Sequence, residues 1–212
     1  MKLLLTSAGI TNGTISQCLI SMTGKQPAEM KVAFIPTAAN VEAGNKVEWF
    51  FGQVDDLRDM GIIWIDVVDI AAPDIDWRSR LDVCDVIYVG GGNTFYLLDQ
   101  VRKTGFAEYL ARALDTKVYV GVSAGSILAS PTIDVAAIPP SDPNVPGLSD
   151  LASLALVDFE LEPHCNDERI RTIDAFAKEQ SKTIYAIDDQ TAVAIEDGAI
   201  HVVSEGTWKL CK

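Results

Sequence analysis

The chain has 212 residues, a length that buries one sizeable core and is expected to form a single domain over 1–212. Its 48% apolar fraction is that of a soluble globular protein, and no apolar run approaches the roughly 18 residues a membrane span needs. Thirty acidic against seventeen basic residues leave a net charge of −13, which repels phosphate backbones and argues against general nucleic-acid binding.

Met1-Lys2-Leu3-Leu4-Leu5 is too short for a signal peptide, and it breaks at a Thr/Ser/Gly/Asn-rich stretch, Thr6 to Gly13. Leu3-Leu4-Leu5 is therefore expected to be a first buried strand, and a cytoplasmic location follows. Thr14 to Met22 reads as a helix and Val32 to Ile35 as a strand stopped by Pro36. Val41 to Met60 carries Val47, Phe50, Phe51, Val54 and Leu57 at helical spacing, with Gly61 as its stop. Ile62 to Val68 and Val86 to Val89 read as strands, Thr94 to Lys103 and Phe106 to Leu114 as helices, and Lys117 to Val122 as a further strand. Near-continuous Val/Ile runs between helices predict a mostly parallel sheet covered on both faces, hence the α/β class.

The pattern changes after Pro131. Pro139-Pro140, Pro143 and Pro146 mark a surface loop. Beyond it, Ala155 to Glu160 is expected to be a strand and Asp167 to Glu179 an amphipathic helix. Ile184 to Ile187, Thr191 to Glu196 and Ala199 to Ser204 read as strands. Glu196-Asp197-Gly198-Ala199 is a hairpin turn between the last two, so the mixed sheet should end in an antiparallel hairpin. The four cysteines, Cys18, Cys84, Cys165 and Cys211, are far apart and form no metal or redox motif, so reduced, mostly buried thiols are expected.

Ser123 carries the chemistry. It centres Gly121-Val122-Ser123-Ala124-Gly125, after an apolar strand and before a short apolar segment that Pro131 closes. A strand, a sharp turn and a helix push a serine hydroxyl out of the backbone as a nucleophile, and flanking glycines remove Cβ atoms that would collide in such a turn. Serine needs a base to take its proton and donors to hold an oxyanion. The chain has two histidines, and His164, in the irregular stretch Leu161 to Asn166, is the better placed; His201 sits in the hairpin. Asp188 and Asp189, after strand Ile184 to Ile187, are candidates to orient the imidazole, and Asp134, Asp158 and Glu162 compete. A second glycine-rich strand-to-helix turn, Val89-Gly90-Gly91-Gly92-Asn93-Thr94-Phe95, offers backbone N–H groups for an oxyanion together with that of Ala124.

In order and spacing, the Gly90-Gly91-Gly92-Asn93 turn, the Ser123 pentapeptide and Glu162-Pro163-His164 resemble the peptidase E family of serine peptidases, the aspartyl dipeptidases, with cyanophycinases as a distant branch. The resemblance runs from Leu3 to about Gly198. It implies a three-layer αβα sandwich, flavodoxin-like or class I glutamine-amidotransferase-like, and hydrolysis by a Ser–His–acid triad without metal or cofactor. Carried over by position, Ser123 is the nucleophile and His164 the base. Gly92 and Ala124 supply the oxyanion donors, and Asn93 is close to substrate. Asp189 falls where the family has its orienting glutamate, one methylene longer, with Asp188 beside it. The family's alternative acid position, in the loop after the nucleophile helix, holds Ile138, with Asp134 offset.

The resemblance departs after the histidine. Aspartyl dipeptidases carry a longer segment there, ending in an arginine that binds the substrate's aspartate. Here Cys165-Asn166-Asp167-Glu168 is short, and Arg169 and Arg171 fall on the following helix. The sequence thus points to a serine peptidase of short peptides, dipeptides above all, without strict aspartyl specificity. The alternatives it leaves are a β-aspartyl hydrolase or a non-catalytic amidotransferase-like binding module. Its partner is a small peptide, and no heptad or interface stripe speaks to its oligomeric state.

Overall fold

The computed structural model describes residues 1–42 and 48–212; Val47, assigned from sequence to the second helix, lies outside them. A seven-stranded sheet forms the centre, in the order β3-β2-β4-β5-β1-β8-β9. Its strands are β1 (Lys2–Thr6), β2 (Lys31–Ile35), β3 (Trp64–Val67), β4 (Val86–Val89), β5 (Val118–Val122), β8 (Thr191–Glu196) and β9 (Ala199–Ser204). The first five run parallel, and β8 and β9 run antiparallel to their neighbours, completing the mixed sheet and its C-terminal hairpin.

Alternation along the strands divides the core into two layers. Leu4, Val32, Phe34, Val86, Tyr88, Val118 and Val120 face one side, against Ile15, Leu19 and Met22 of α1 (Gly13–Thr23) and Leu57 of α2 (Glu48–Asp59). Leu3, Leu5, Ala33, Ile35, Ile87, Val89 and Tyr119 face the other. They meet α3 (Trp77–Asp82), α4 (Thr94–Thr104), α5 (Phe106–Ala113) and the short α6 (Ala124–Ile127). Helices on both faces of a mostly parallel sheet are the expected αβα sandwich. No helix among the described residues is long and apolar enough to cross a membrane.

Three expectations are corrected and one helix, α3, is added. The second helix begins at Glu48 among the described residues, because Thr37–Val41 is a 3₁₀ turn. The strand expected at Ala155 begins only at Glu160, since Ala155 has φ +48, outside strand geometry. Helix α3, one and a half turns started by the Asp76 cap, is too short to show a period. The strand Ile184 to Ile187 does not join the main sheet. It is β7 (Ile184–Ile187), the middle of a second, three-stranded sheet between β6 (Glu160–Glu162) and β10 (Trp208–Cys211). Helix α7 (Asp167–Gln180) packs Ile173 and Ala177 against it.

This second sheet matters for placement. Strands β1, β4 and β5 end at the same edge of the main sheet, the edge where parallel α/β folds bind ligands. Strands β6 and β7 run parallel to each other and deliver their C-terminal residues to that edge from outside it.

Candidate active site

Ser123 leaves β5 with φ +49 and ψ −110, a conformation that costs a residue with a Cβ of the order of 1–3 kcal/mol. Its N–H donates to Thr6 O at 3.1 Å, and its carbonyl accepts from Ser126 and Ile127 at 2.8 and 3.0 Å, starting α6. The pentapeptide's glycines are close-approach positions. A Cβ on Gly125 would lie 2.1 Å from Val89 O on β4, and one on Gly121 would lie 2.7 Å from Gly125 O. The turn can be this sharp because nothing projects from either glycine.

The structure brings Ser123, His164 and Asp189 together. His164 Nε2 lies 3.0 Å from Ser123 Oγ, and His164 Nδ1 lies 2.6 Å from Asp189 Oδ1. The contact with His164 holds the Asp189 carboxyl below the usual carboxylate range, and Ser7 adds to the effect against partial burial. An ionised Asp189 accepts from Nδ1–H, which leaves Nε2 as the acceptor facing the serine hydroxyl. His164 adopts φ +55, a turn that follows Pro163 at the end of β6. Ser7, beyond the end of β1, was not singled out from sequence. Its Oγ donates to Asp189 Oδ1 at 2.7 Å and accepts from His164 N–H at 2.7 Å.

The competing acids are engaged elsewhere. Asp188 turns away from His164 and accepts from Gln190 N, Thr191 Oγ1 and Thr207 N at 3.0, 2.7 and 2.5 Å. Asp134 pairs with Lys182, which also holds Glu160. Asp158 lines a separate hollow beside Met1 and Ile200. Glu162 binds Arg169. His201 is exposed on β9.

Two cavities flank Ser123 and His164. The smaller, about 380 Å³, is lined by Ser7, Trp49, Gln53, Gly91 and Gly92 among others. Gly92 has φ +132 and passes so close to the 3₁₀ turn that a Cβ would meet Ala38 backbone at 2.5 Å. Among the described residues, the amides of Gly92 and Ala124 donate to no backbone acceptor. Gly92 lines this cavity; Ala124 is fully buried at the start of α6 and lines neither. Asn93 is corrected: it too is buried and lines neither cavity. Its Oδ1 caps α4 through Tyr96 N–H at 2.8 Å, and its Nδ2 donates to Pro143 O at 2.9 Å. Its role here is to join the glycine turn to the proline-rich loop.

The larger cavity, about 460 Å³, is walled by Pro139, Pro140 and Asp142 of that loop and by Glu162, Glu168 and Arg169. Asp142 fixes the loop by accepting from Thr94 N–H at 2.8 Å. The cysteines take no part. Burial pushes the Cys165 thiol up to about 12 and the Cys84 thiol up to about 11.

The model of peptidase family S51 matches residues 3–203. An uncharacterized peptidase of Pasteurella multocida is 36% identical over 138 residues, 63% of this chain and 64% of that one. Peptidase E of Streptomyces coelicolor is 32% identical over 171 residues, 79% of this chain and 65% of that one. Both matches thus span just under two thirds of those relatives' lengths. The crystal structure of a candidate peptidase E protein from Listeria monocytogenes superposes with a TM-score of 0.78 at 29% identity, covering 97% of this chain and 98% of that one. With its family match running from β1 into β9, the chain belongs to peptidase family S51, a family of serine-type peptidases.

Proposed function

We propose that the protein hydrolyses short peptides, dipeptides above all, through an acyl-enzyme formed on Ser123. The observation that carries this is the run of contacts from Ser123 Oγ to His164 Nε2, 3.0 Å, and from His164 Nδ1 to Asp189 Oδ1, 2.6 Å. His164 takes the hydroxyl proton as Oγ attacks the peptide carbonyl. Asp189 holds the imidazole in the tautomer that can accept it and stabilises the imidazolium that results. The tetrahedral oxyanion accepts from the N–H of Gly92 and of Ala124. His164 then gives its proton to the departing amine, and the C–N bond breaks. In the second half a water loses its proton to His164, attacks the ester, and releases the acid with the proton returned to Oγ. These residues supply every proton transfer, and the proposed reaction draws on no metal or cofactor.

The two flanking cavities, about 460 and 380 Å³, suit one residue on each side of the scissile bond better than a long chain. Free cysteines at 18, 84, 165 and 211 fit a reducing, cytoplasmic setting. The test is turnover of a dipeptide panel by the protein and by Ser123→Ala, together with labelling by a fluorophosphonate. Turnover and labelling that both disappear in the variant, with an unchanged circular dichroism spectrum, support the reading. Turnover that survives the substitution overturns it.

A further inference from the structure

Among the described residues, one Lys or Arg side chain, Arg169, lines the larger cavity beside Ser123, and a free guanidinium there would attract a substrate carboxylate. This one is already engaged. Its Nε donates to Glu162 Oε1 at 2.5 Å, and its Nη2 lies 2.5 Å from the same oxygen. Nη1 donates to Pro139 O at 2.7 Å and Nη2 to Ile138 O at 3.2 Å. Both side chains are largely shielded, at 15% exposure for Arg169 and 7% for Glu162. Shielding strengthens the attraction within the pair, at a desolvation cost to each charge, and keeps water from substituting for either partner.

Local sequence explains the arrangement. Glu162 ends β6 two residues before His164, and Arg169 lies in the first turns of α7, which the Asn166 cap starts. The strand end that aims the imidazole at Ser123 therefore also sets a carboxylate against the cavity's cation. Besides this pair, the wall carries the carboxylates of Asp142 and Glu168. Among the described residues, an acidic side chain entering the cavity would meet these groups and no uncommitted guanidinium or ammonium.

We infer that Glu162 determines the specificity of the Ser123 site: by holding Arg169 it makes the cavity take peptides with an uncharged or cationic side chain and turn acidic ones away. Discrimination here works by repulsion as much as by fit. The inference rests on the peptide-hydrolase reading for its ligand, but its test uses binding, which needs no turnover.

The experiment titrates Ser123→Ala calorimetrically at pH 8.5 with Asn-Leu, Asp-Leu, Leu-Asn and Leu-Asp, pairs that differ only in charge. Lys-Leu and Leu-Lys serve as the cationic arms. At whichever position occupies this cavity, the Asn and Lys peptides should bind at least about tenfold more tightly than the Asp peptide, a gap of about 1.4 kcal/mol. In Ser123→Ala/Glu162→Gln, which keeps the size of the side chain and frees the charge of Arg169, that ratio should fall at least tenfold. Asp peptides binding as tightly as their Asn counterparts at both positions would overturn the inference without recourse to the double variant. So would a ratio that Glu162→Gln leaves unchanged. If no peptide binds and the unsubstituted protein turns none over, the peptide reading falls and this inference with it; if peptides bind without charge preference, only the inference falls.

Discussion

The Ser7 hydroxyl donates to Asp189 Oδ1 at 2.7 Å while accepting the backbone N–H of His164 at 2.7 Å. Ser7 follows β1, an interior strand of the main sheet, whereas Asp189 and His164 follow strands of the second sheet. One fully buried hydroxyl thus fixes the separation of the two sheets where the imidazole must meet Ser123. Its backbone N–H joins the same region through Thr191 O at 3.3 Å.

Ser7→Ala should therefore lower kcat more than it raises KM. It removes a hydrogen bond to a charged acceptor, worth about 1.5–3 kcal/mol, so a kcat loss of roughly ten- to a hundredfold is expected. It also leaves the His164 N–H without its acceptor, which should cost a further 1–3 kcal/mol or so of stability. Steady-state kinetics and urea unfolding check both, and a kcat within twofold of the unsubstituted protein would remove Ser7 from the positioning role.

The adjacent aspartates should separate cleanly. Asp189→Asn keeps the shape but presents Nδ1 with the wrong partner, and by analogy with triad acids kcat should fall by about three to four orders of magnitude. Stability should change little, because Asp189 is half exposed. Asp188→Ala should do the reverse. Its carboxylate satisfies Gln190 N, Thr191 Oγ1 and Thr207 N, so its loss should cost about 1–3 kcal/mol with kcat per folded molecule preserved. Equal kinetic losses in both variants would contradict the assignment.

The sequence made legible what depends on local pattern. The parallel strands, the Ser123 turn and the choice of His164 over His201 all follow from apolar runs and glycine placement. The partition into two sheets was hidden, since strand β7 has the same Ile/Ala character whether it joins one sheet or another. Ser7 carried no signal: a serine after a strand is ordinary, and its role arises from residues more than 150 positions away. Asn93 was placed near substrate by the family resemblance alone; a residue opening a helix after a glycine turn is equally a cap, and in the structure its side chain caps α4. Arg169 was read as a helix position without a target, because a spacing of seven residues from Glu162 says nothing of a pair formed between a strand end and a helix.

The strain at Ser123 makes a comparison of two inactive variants informative. In ordinary backbone, glycine is less stable than alanine by about 0.5–1 kcal/mol. At φ +49 and ψ −110 the order should reverse, because alanine keeps the Cβ that this conformation penalises. Ser123→Gly should exceed Ser123→Ala in stability by about 1 kcal/mol, or roughly 2–4 °C in Tm for a chain of this size. Thermal unfolding of the pair measures it, and a higher Tm for the alanine variant would show that the turn relaxes without strain.

Charge discrimination in the larger cavity should depend on pH. Burial pushes the Glu162 carboxyl up to about 7, against the pull of Arg169 and His164 and with a small push from Asp142. Because this value lies above the ordinary carboxylate range, Glu162 takes up its proton as pH falls through about 7, while a substrate aspartate, with a pKa near 3.9, is still ionised. Protonated Glu162 no longer neutralises Arg169, so the cavity gains positive charge and its aversion to acidic side chains weakens. In Ser123→Ala, the preference for Asn- over Asp-containing dipeptides should therefore be largest at pH 8.5 and shrink severalfold by pH 5.5. Comparison with Ser123→Ala/Glu162→Gln, which keeps every other titrating group of the cavity, isolates Glu162. In Ser123→Ala/Glu162→Gln no such group remains at that position, and the ratio should stay low and flat over the range. A ratio that is flat with Glu162 in place, or that rises as pH falls, would show that this carboxylate stays ionised and does not control the charge of the cavity.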